Sequence, residues 1–164
     1  MNEISDGVIC TMDADLTHNP AETKKMVDEI AEGYDLIVGS RYVDFGKQIN
    51  VLMFRQLYSK VANSVIRLIF SVPVKDVTSG YQCYRYDLVR RIIMKYGDRL
   101  VESKGFAISP ELLVKSYWVG ASIREVSITL DYAVKKRKEK TEIFPSNQGL
   151  SEIAPNSYSL EENG

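Results

Sequence analysis

The chain has 164 residues, enough for one domain with a substantial core and too few for two comfortable ones. Its 21 basic and 22 acidic residues nearly cancel, leaving a formal charge of −1, so no global electrostatic case for nucleic-acid binding exists. No signal peptide opens the chain, and no uncharged apolar run approaches the roughly 20 residues of a membrane-spanning helix.

Gly7 to Met12 is an apolar, β-branched run ending in Asp13-Ala14-Asp15. It reads as a buried central strand, apolar on both faces, that stops at a loop. Cys10 lies in this run and Cys83 far from it, without metal-ligand spacing. The pair reads as two reduced thiols in or near a core, which suits a reducing compartment such as the cytoplasm. Asn19-Pro20-Ala21-Glu22 gives a helix start, with Asn19 as N-cap, Pro20 in the first turn and Glu22 three residues on. Gly33 ends that helix, and Leu36 to Ser40 is the next short strand. Strand, helix and strand in this order imply a right-handed parallel crossover and an α/β fold.

Tyr42 to Asn50 lacks periodicity and reads as a loop. From Val51 to Phe70, Leu57, Val61, Val65, Leu68 and Ile69 fall at helical spacing, interrupted by Arg55, Lys60 and Arg67; this is an amphipathic helix that Pro73 stops. Tyr81 to Tyr86 alternates as a strand, Asp87 caps a helix through Met94, Ser109-Pro110-Glu111 starts another to about Trp118, and Ser122 to Leu130 alternates as a last strand. Residues after 143 are rich in Pro, Ser, Asn, Gly and acids and read as a poorly ordered tail, 144–164.

Asp13 and Asp15 share one face of an extended segment, because residues two apart point the same way. Two carboxylates so close repel each other unless a cation lies between them or one takes a proton. Their oxygens suit Mg²⁺ or Mn²⁺, and strand ends of α/β sheets are where ligands sit. The alternative is a pair of solvated turn aspartates.

The flanks add specificity. Met12-Asp13-Ala14-Asp15-Leu16-Thr17-His18-Asn19-Pro20 resembles the metal-binding signature of dolichyl-phosphate mannosyltransferases and their bacterial and archaeal relatives in glycosyltransferase family 2. In the same order, Gly39-Ser40-Arg41-Tyr42, Arg55 with Ser59, Asp76-Val77-Thr78-Ser79-Gly80-Tyr81, Gly105-Phe106 with Glu111, and Lys140-Thr141 resemble later segments of that family. The resemblance covers roughly residues 5 to 143. It implies a partial GT-A fold, Rossmann-like, with a mixed sheet flanked by helices, over residues 1–143.

It also implies a reaction: a sugar, mannose or glucose, moves from a nucleotide-sugar donor onto a polyprenyl or dolichyl phosphate, with inversion. Asp13 and Asp15 would hold Mg²⁺ or Mn²⁺ on the donor diphosphate, where the cation offsets charge building on the leaving group. Arg41, Arg55 and Lys140 would hold phosphates, with Ser59 one helical turn after Arg55 on the same face. Without the resemblance these basic residues read as ordinary surface charge. Asp76 and Ser79 are either substrate contacts or an Asx-type turn with Gly80 supplying backbone freedom. Glu111 is either a site residue or a first-turn acid favoured by the helix dipole. An acceptor phosphate is already an anion and needs no strong base, so His18 reads as a loop residue.

The run Lys135-Lys136-Arg137-Lys138 is either a solvated stretch or a contact with anionic lipid head groups. The reading thus places the protein peripherally at the cytoplasmic face of a membrane.

Three departures stand out. Thr17 replaces a frequent Gln, Glu139 and Glu142 interrupt the late motif, and the acidic motif comes almost at once. The strands that precede it in the family are therefore expected from a longer protein or a partner chain. Two rival readings follow: a non-catalytic binding remnant, and a haloacid-dehalogenase-type phosphatase with Asp13 as nucleophile, Asp15 as acid/base and Asp98 and Glu102 as late acids.

Overall fold

The computed structural model describes residues 7–15 and 17–133, with the backbone alone for Arg55. Lys140, the basic run 135–138 and the tail lie outside the described residues.

Among the described residues, six strands and four α-helices follow in chain order: β1 (Val8–Thr11), α1 (Glu22–Ala31), β2 (Leu36–Ser40), β3 (Lys47–Ile49), α2 (Met53–Phe70), β4 (Gln82–Arg85), α3 (Tyr86–Tyr96), α4 (Ile108–Trp118), β5 (Ile123–Ser127) and β6 (Thr129–Asp131). The main sheet has the order β1-β4-β2-β5 and is mixed, with β4 antiparallel to both neighbours and β2 parallel to β5. A second, parallel pair joins β3 to β6. The fold is α/β, as the alternation of elements predicts, with a mixed sheet flanked by helices.

β2 carries the core on both faces. Leu36 and Val38 face one cluster with Leu88, Ile92, Leu113 and Val114 from α3 and α4. Ile37 faces the other, with Met26 and Ile30 of α1, Tyr81 and Ile128. That is the period of two expected of a strand covered on both sides. Met26 and Ile30 are four apart on α1, so one helical stripe supplies its buried apolar contact. Asn19 Oδ1 accepts from Ala21 N at 3.0 Å, and Glu22 N bonds to Asn19 O at 3.1 Å, so Asn19 builds the turn that leads into the helix.

Several expectations need correction. β1 is the outer strand among those described, not a central one: it pairs only with β4, and Ile9 and Met12 are more than two-fifths exposed. β1 and β2 are not neighbours, because the strand returning from α2 inserts between them; Cys10, Cys83 and Ile37 lie in one row across the three strands. That register brings the two cysteines together, and they form a disulfide in place of two free thiols. The expected loop 42–50 contains β3, and the last strand is two, β5 and β6, interrupted at Ile128.

α2 is a helix almost where its periodicity predicts, but its apolar stripe faces outward. Leu57 is 63 % exposed and Leu68 83 %. The helix is held instead by buried Asn63, which donates to Ser59 O and Thr78 Oγ1 and accepts from Thr78 N, and by Ile66 and Phe70 packing on the core. Among the described residues no helix is long and apolar enough to cross a membrane.

Candidate active site

The loop after β1, the end of β2, the N-terminal half of α2 and the turn 76–80 meet around a cleft of about 540 Å³. Asp13, Asp15, Arg41, Ser59 and Ser79 all line it. Five residues singled out from widely separated segments of the sequence therefore share one cavity.

The acidic wall is held from behind. Thr17 donates to Asp15 Oδ1 through both its backbone N, at 3.1 Å, and its hydroxyl, at 2.6 Å. Thr17 is itself buried, so its hydroxyl orients Asp15 from within the protein. Asp13 rests against the backbone of Gly80: a Cβ at residue 80 would stand 2.7 Å from Asp13 Oδ1, so only glycine leaves the carboxylate its place. His18 Nε2 lies 3.6 Å from Asp13 Oδ2, beyond a hydrogen bond, with its ring edge-on to Tyr81 at 5.1 Å. The imidazole is buried and its Nδ1 has no hydrogen-bond partner among the described residues. His18 is thus no simple loop residue. It borders the cleft beside Asp13 and bridges to Leu130.

The basic wall is organised by Asp76. Arg41 donates from Nε to Asp76 Oδ2 at 2.7 Å and from Nη2 to Asp76 Oδ1 at 2.5 Å, while its backbone N also reaches Oδ2 at 2.9 Å. Nη2 donates further to Thr78 Oγ1. Burial pushes the guanidinium pKa down, but the hydrogen bonds and charge of Asp76 outweigh it, and the net direction is up. Arg41 therefore stays charged in the cleft wall. Asp76 is fully buried and does not line the cleft, so what it touches is Arg41 and not a ligand. Its own backbone N donates to Glu125 Oε1, which ties the turn to β5.

Ser79 lines the cleft, yet its hydroxyl donates to Gly39 O at 2.6 Å and accepts from Tyr81 N, so it locks the turn onto β2. Ser59 accepts from Tyr42 OH at 3.0 Å. Arg55 is one helical turn before Ser59 on α2, and its side chain lies outside the described atoms. The remaining wall is apolar and aromatic, with Phe54 and Tyr58 from α2 and Phe106 opposite. No acidic or metal-ligand pattern marks these residues in the sequence, and the apolar spacing read there on α2 took in Leu57, Val61, Val65, Leu68 and Ile69 but neither Phe54 nor Tyr58.

Glu111 does not reach this cleft. It accepts from the backbone N of Glu102 and Ser103 and pairs with Lys115 at 2.6 Å. Asp98 sits in a short 3₁₀ turn, Gly97–Arg99, and Glu102 pairs with Arg99 and Lys115. Neither lines the cleft, so the late acids that a haloacid-dehalogenase-type phosphatase requires are missing from the side of Asp13.

A family model for glycosyl transferase family 2 matches residues 2–93, more than half of the chain and the whole stretch from Asp13 to Gly80. The chain belongs to glycosyl transferase family 2. It is 36 % identical over 122 residues to the polyprenol monophosphomannose synthase of Mycolicibacterium smegmatis, covering 74 % of this chain and 44 % of that protein. It is 31 % identical over 122 residues to the undecaprenyl-phosphate mannosyltransferase of Micrococcus luteus, covering 74 % and 48 %. It is 33 % identical over 141 residues to the dolichol-phosphate mannosyltransferase of Pyrococcus furiosus, covering 84 % and 36 %. The chain thus spans about half or less of the length of these relatives.

Proposed function

We propose that this glycosyl transferase family 2 chain forms the acceptor-side part of an inverting, metal-dependent mannosyltransferase that uses a polyprenyl phosphate as acceptor. The observation that carries this reading is the single cleft in which Asp13 and Asp15 share the lining with a part-buried, Asp76-locked arginine and an apolar, aromatic wall. The names of the relatives supply mannose and the lipid phosphate.

Whether a divalent cation suits this site can be judged from its donors. Among the described residues no group of three or more His, Cys, Asp or Glu could enclose a metal, so a fully protein-built cage is excluded there. Two carboxylates on an open wall are instead the donor set expected for Mg²⁺ or Mn²⁺, which keep waters and bind substrate phosphates as their other ligands. Asp13 and Asp15 would hold the ion, and when bound it would offset charge on the departing nucleoside diphosphate.

The chain's own residues then have separate tasks. Thr17 and Gly80 fix the two carboxylates. Arg41, kept charged and aimed by Asp76, offers its side of the guanidinium to a phosphate. A phosphate oxygen of the acceptor attacks the anomeric carbon, a C–O bond forms on the face opposite the leaving group, and the bond to the nucleoside diphosphate breaks with its electron pair leaving on that group. The nucleophile is already an anion, and no proton has to be removed. The protein works peripherally at a membrane, where its acceptor resides.

The test is transfer of labelled mannose from a nucleoside-diphosphate donor to undecaprenyl phosphate, in the protein that carries this chain. Chelator should abolish transfer and Mn²⁺ restore it, and Asp15→Ala should lose nearly all turnover. Full transfer in excess chelator would refute the metal, and absence of transfer to any prenyl phosphate would refute the acceptor.

A further inference from the structure

The hydroxyl of Thr78 sits where α2, the end of β2 and the turn 76–80 meet. Asn63 of α2 is buried, and two groups with fixed roles orient its amide. Its Oδ1 accepts from Thr78 N at 2.9 Å, since a backbone N–H can only donate. Its Nδ2 donates to Ser59 O at 2.9 Å, since a carbonyl can only accept. The second hydrogen of Nδ2 then goes to Thr78 Oγ1 at 3.1 Å. Arg41 Nη2 donates to the same Oγ1 at 3.0 Å, and a guanidinium has no acceptor to offer in return.

A hydroxyl oxygen accepts through two lone pairs and donates through one hydrogen. Both lone pairs of Thr78 are occupied, so its hydrogen must go to a third partner. Among the described residues Oγ1 meets no acceptor, because both of its hydrogen-bonded neighbours are donors. Thr78 is half-buried and lines the cleft. The adjacent hydroxyl behaves differently: Ser79 gives its hydrogen to Gly39 O at 2.6 Å. Arg41 matches Thr78. Its Nε and both hydrogens of Nη2 bind Asp76 and Thr78, which leaves the Nη1 hydrogens without an acceptor among the described residues. An O–H donor and a charged N–H donor therefore stand side by side in the cleft wall, and neighbouring donors of this kind suit the oxygens of one anion.

We infer that Thr78 Oγ1 donates to a phosphate oxygen of the ligand in the cleft, beside Arg41 Nη1, and that Asn63 is the positioning residue that turns the hydroxyl's hydrogen outward. The inference rests on the polyprenyl-phosphate reading above and deepens it. The same chemistry fits the phosphate of the acceptor and the diphosphate of the donor, and the two are separated by titrating each alone.

The test uses the protein that carries this chain. Farnesyl phosphate, farnesol, and guanosine or uridine diphosphate with Mn²⁺ are the separate calorimetric titrants. Thr78→Val keeps the shape and removes the hydroxyl, and it should weaken a phosphate ligand about tenfold, the loss of one hydrogen bond to a charged group. Thr78→Ser should restore the affinity, and farnesol should not respond. Thr78→Val also leaves Asn63 Nδ2 and Arg41 Nη2 short of an acceptor, so its unfolding midpoint is measured alongside. Thr78→Ala, which admits water to both donors, carries the same readout should the valine variant fail to fold. Asn63→Asp replaces the amide donor by an acceptor, draws the hydroxyl's hydrogen back toward α2, and should weaken the same ligand. Combined with Thr78→Val it should add no further loss, because both changes remove one contact.

A loss on farnesyl phosphate assigns the contact to the acceptor, a loss on the nucleoside diphosphate assigns it to the donor, and either supports it. Wild-type affinity for both ligands without the hydroxyl would overturn the contact, as would equal losses for farnesol and farnesyl phosphate or a serine variant as weak as the valine one. Fully additive losses would overturn the role of Asn63. A wild type that binds the nucleoside diphosphate but no prenyl phosphate would refute the acceptor reading, while the donor titration still decides the contact of Thr78. A wild type that binds neither would overturn both.

Discussion

Gly80→Ala separates the architecture of the site from that of the fold. The residue's φ lies outside the left-handed region, so alanine meets no backbone strain there. The added Cβ would stand 2.7 Å from Asp13 Oδ1 and 3.2 Å from its Cγ, where ordinary contact begins near 3.4 Å. The atom that must yield is the end of a flexible side chain, so the fold pays little. Loss of unfolded-chain freedom favours alanine by about 0.4–1 kcal/mol, which leaves stability level or slightly raised. The Asp13 carboxylate, however, must move by about 0.7 Å to restore contact, the difference between 3.4 and 2.7 Å. A displacement approaching 1 Å in a reacting constellation costs up to about 10²-fold in rate, and this variant should lose roughly 10- to 100-fold. The assay pairs a denaturation curve with Mn²⁺ binding in the presence of nucleoside diphosphate, read by electron paramagnetic resonance, and with transfer. A variant with unchanged midpoint, weakened Mn²⁺ binding and weakened transfer fits the reasoning. Unchanged Mn²⁺ affinity and full turnover would refute the placement of Asp13 at the metal.

Asp76→Ala leaves the buried Arg41 guanidinium without its counter-charge and should cost about 3–5 kcal/mol in chemical denaturation, with Arg41→Met in the same chain recovering part of it. The Glu111 carboxyl is raised by burial and lowered more strongly by Lys115 and the backbone N–H groups of Ser103 and Glu102, ending at about 2. A group depressed on folding stabilises above its ordinary value of 4.5 and loses that contribution as pH falls toward about 2. The stability difference between the wild type and Glu111→Gln should therefore be full at neutral pH and shrink through that window in an acid titration followed by circular dichroism. Reducing the Cys10–Cys83 disulfide, which closes a separation of 73 residues, should lower stability by about 4 kcal/mol, and a thiol titration of the denatured, unreduced chain should find no free thiol. The outer edge of β1, unpaired among the described residues and with Ile9 and Met12 exposed, should drive concentration-dependent association on size-exclusion chromatography, and charged substitutions there should suppress it.

Much of the site was legible because its chemistry is local. Asp13 and Asp15 sit two apart just after an apolar run, and although β1 ends at Thr11 and the chain turns at Ala14 and Asp15, both carboxylates reach one cleft, with Thr17 holding Asp15. The helices followed from periodicity and punctuation to within a few residues, since Gly33 and Pro73 act on the chain next to them. What escaped was set by pairing over long separations. β4 inserts between β1 and β2 because of how the chain returns after α2, and no local pattern in Gly7 to Met12 records that neighbour. The disulfide follows from the same register and was equally hidden.

Arg41 and Asp76 each look like ligand residues in isolation. Thirty-five positions apart, they meet as a pair in which the fully buried Asp76 positions the part-buried Arg41. The apolar stripe of α2 was correctly read as amphipathic, yet periodicity says nothing of what the apolar face meets. Here it is exposed, and other residues of the helix line the cleft and a second cavity.

The most direct measurement follows the label itself. Mannose carried by a nucleoside diphosphate is offered with Mn²⁺ and, in parallel, undecaprenyl phosphate, undecaprenol or no acceptor, and the product is resolved by thin-layer chromatography and its anomeric configuration by NMR. The account predicts label only in the lipid-phosphate product, of inverted configuration, and none with chelator or with Asp15→Ala. Label released as free sugar at the same rate without acceptor, or transfer that survives the loss of Asp15, would contradict it.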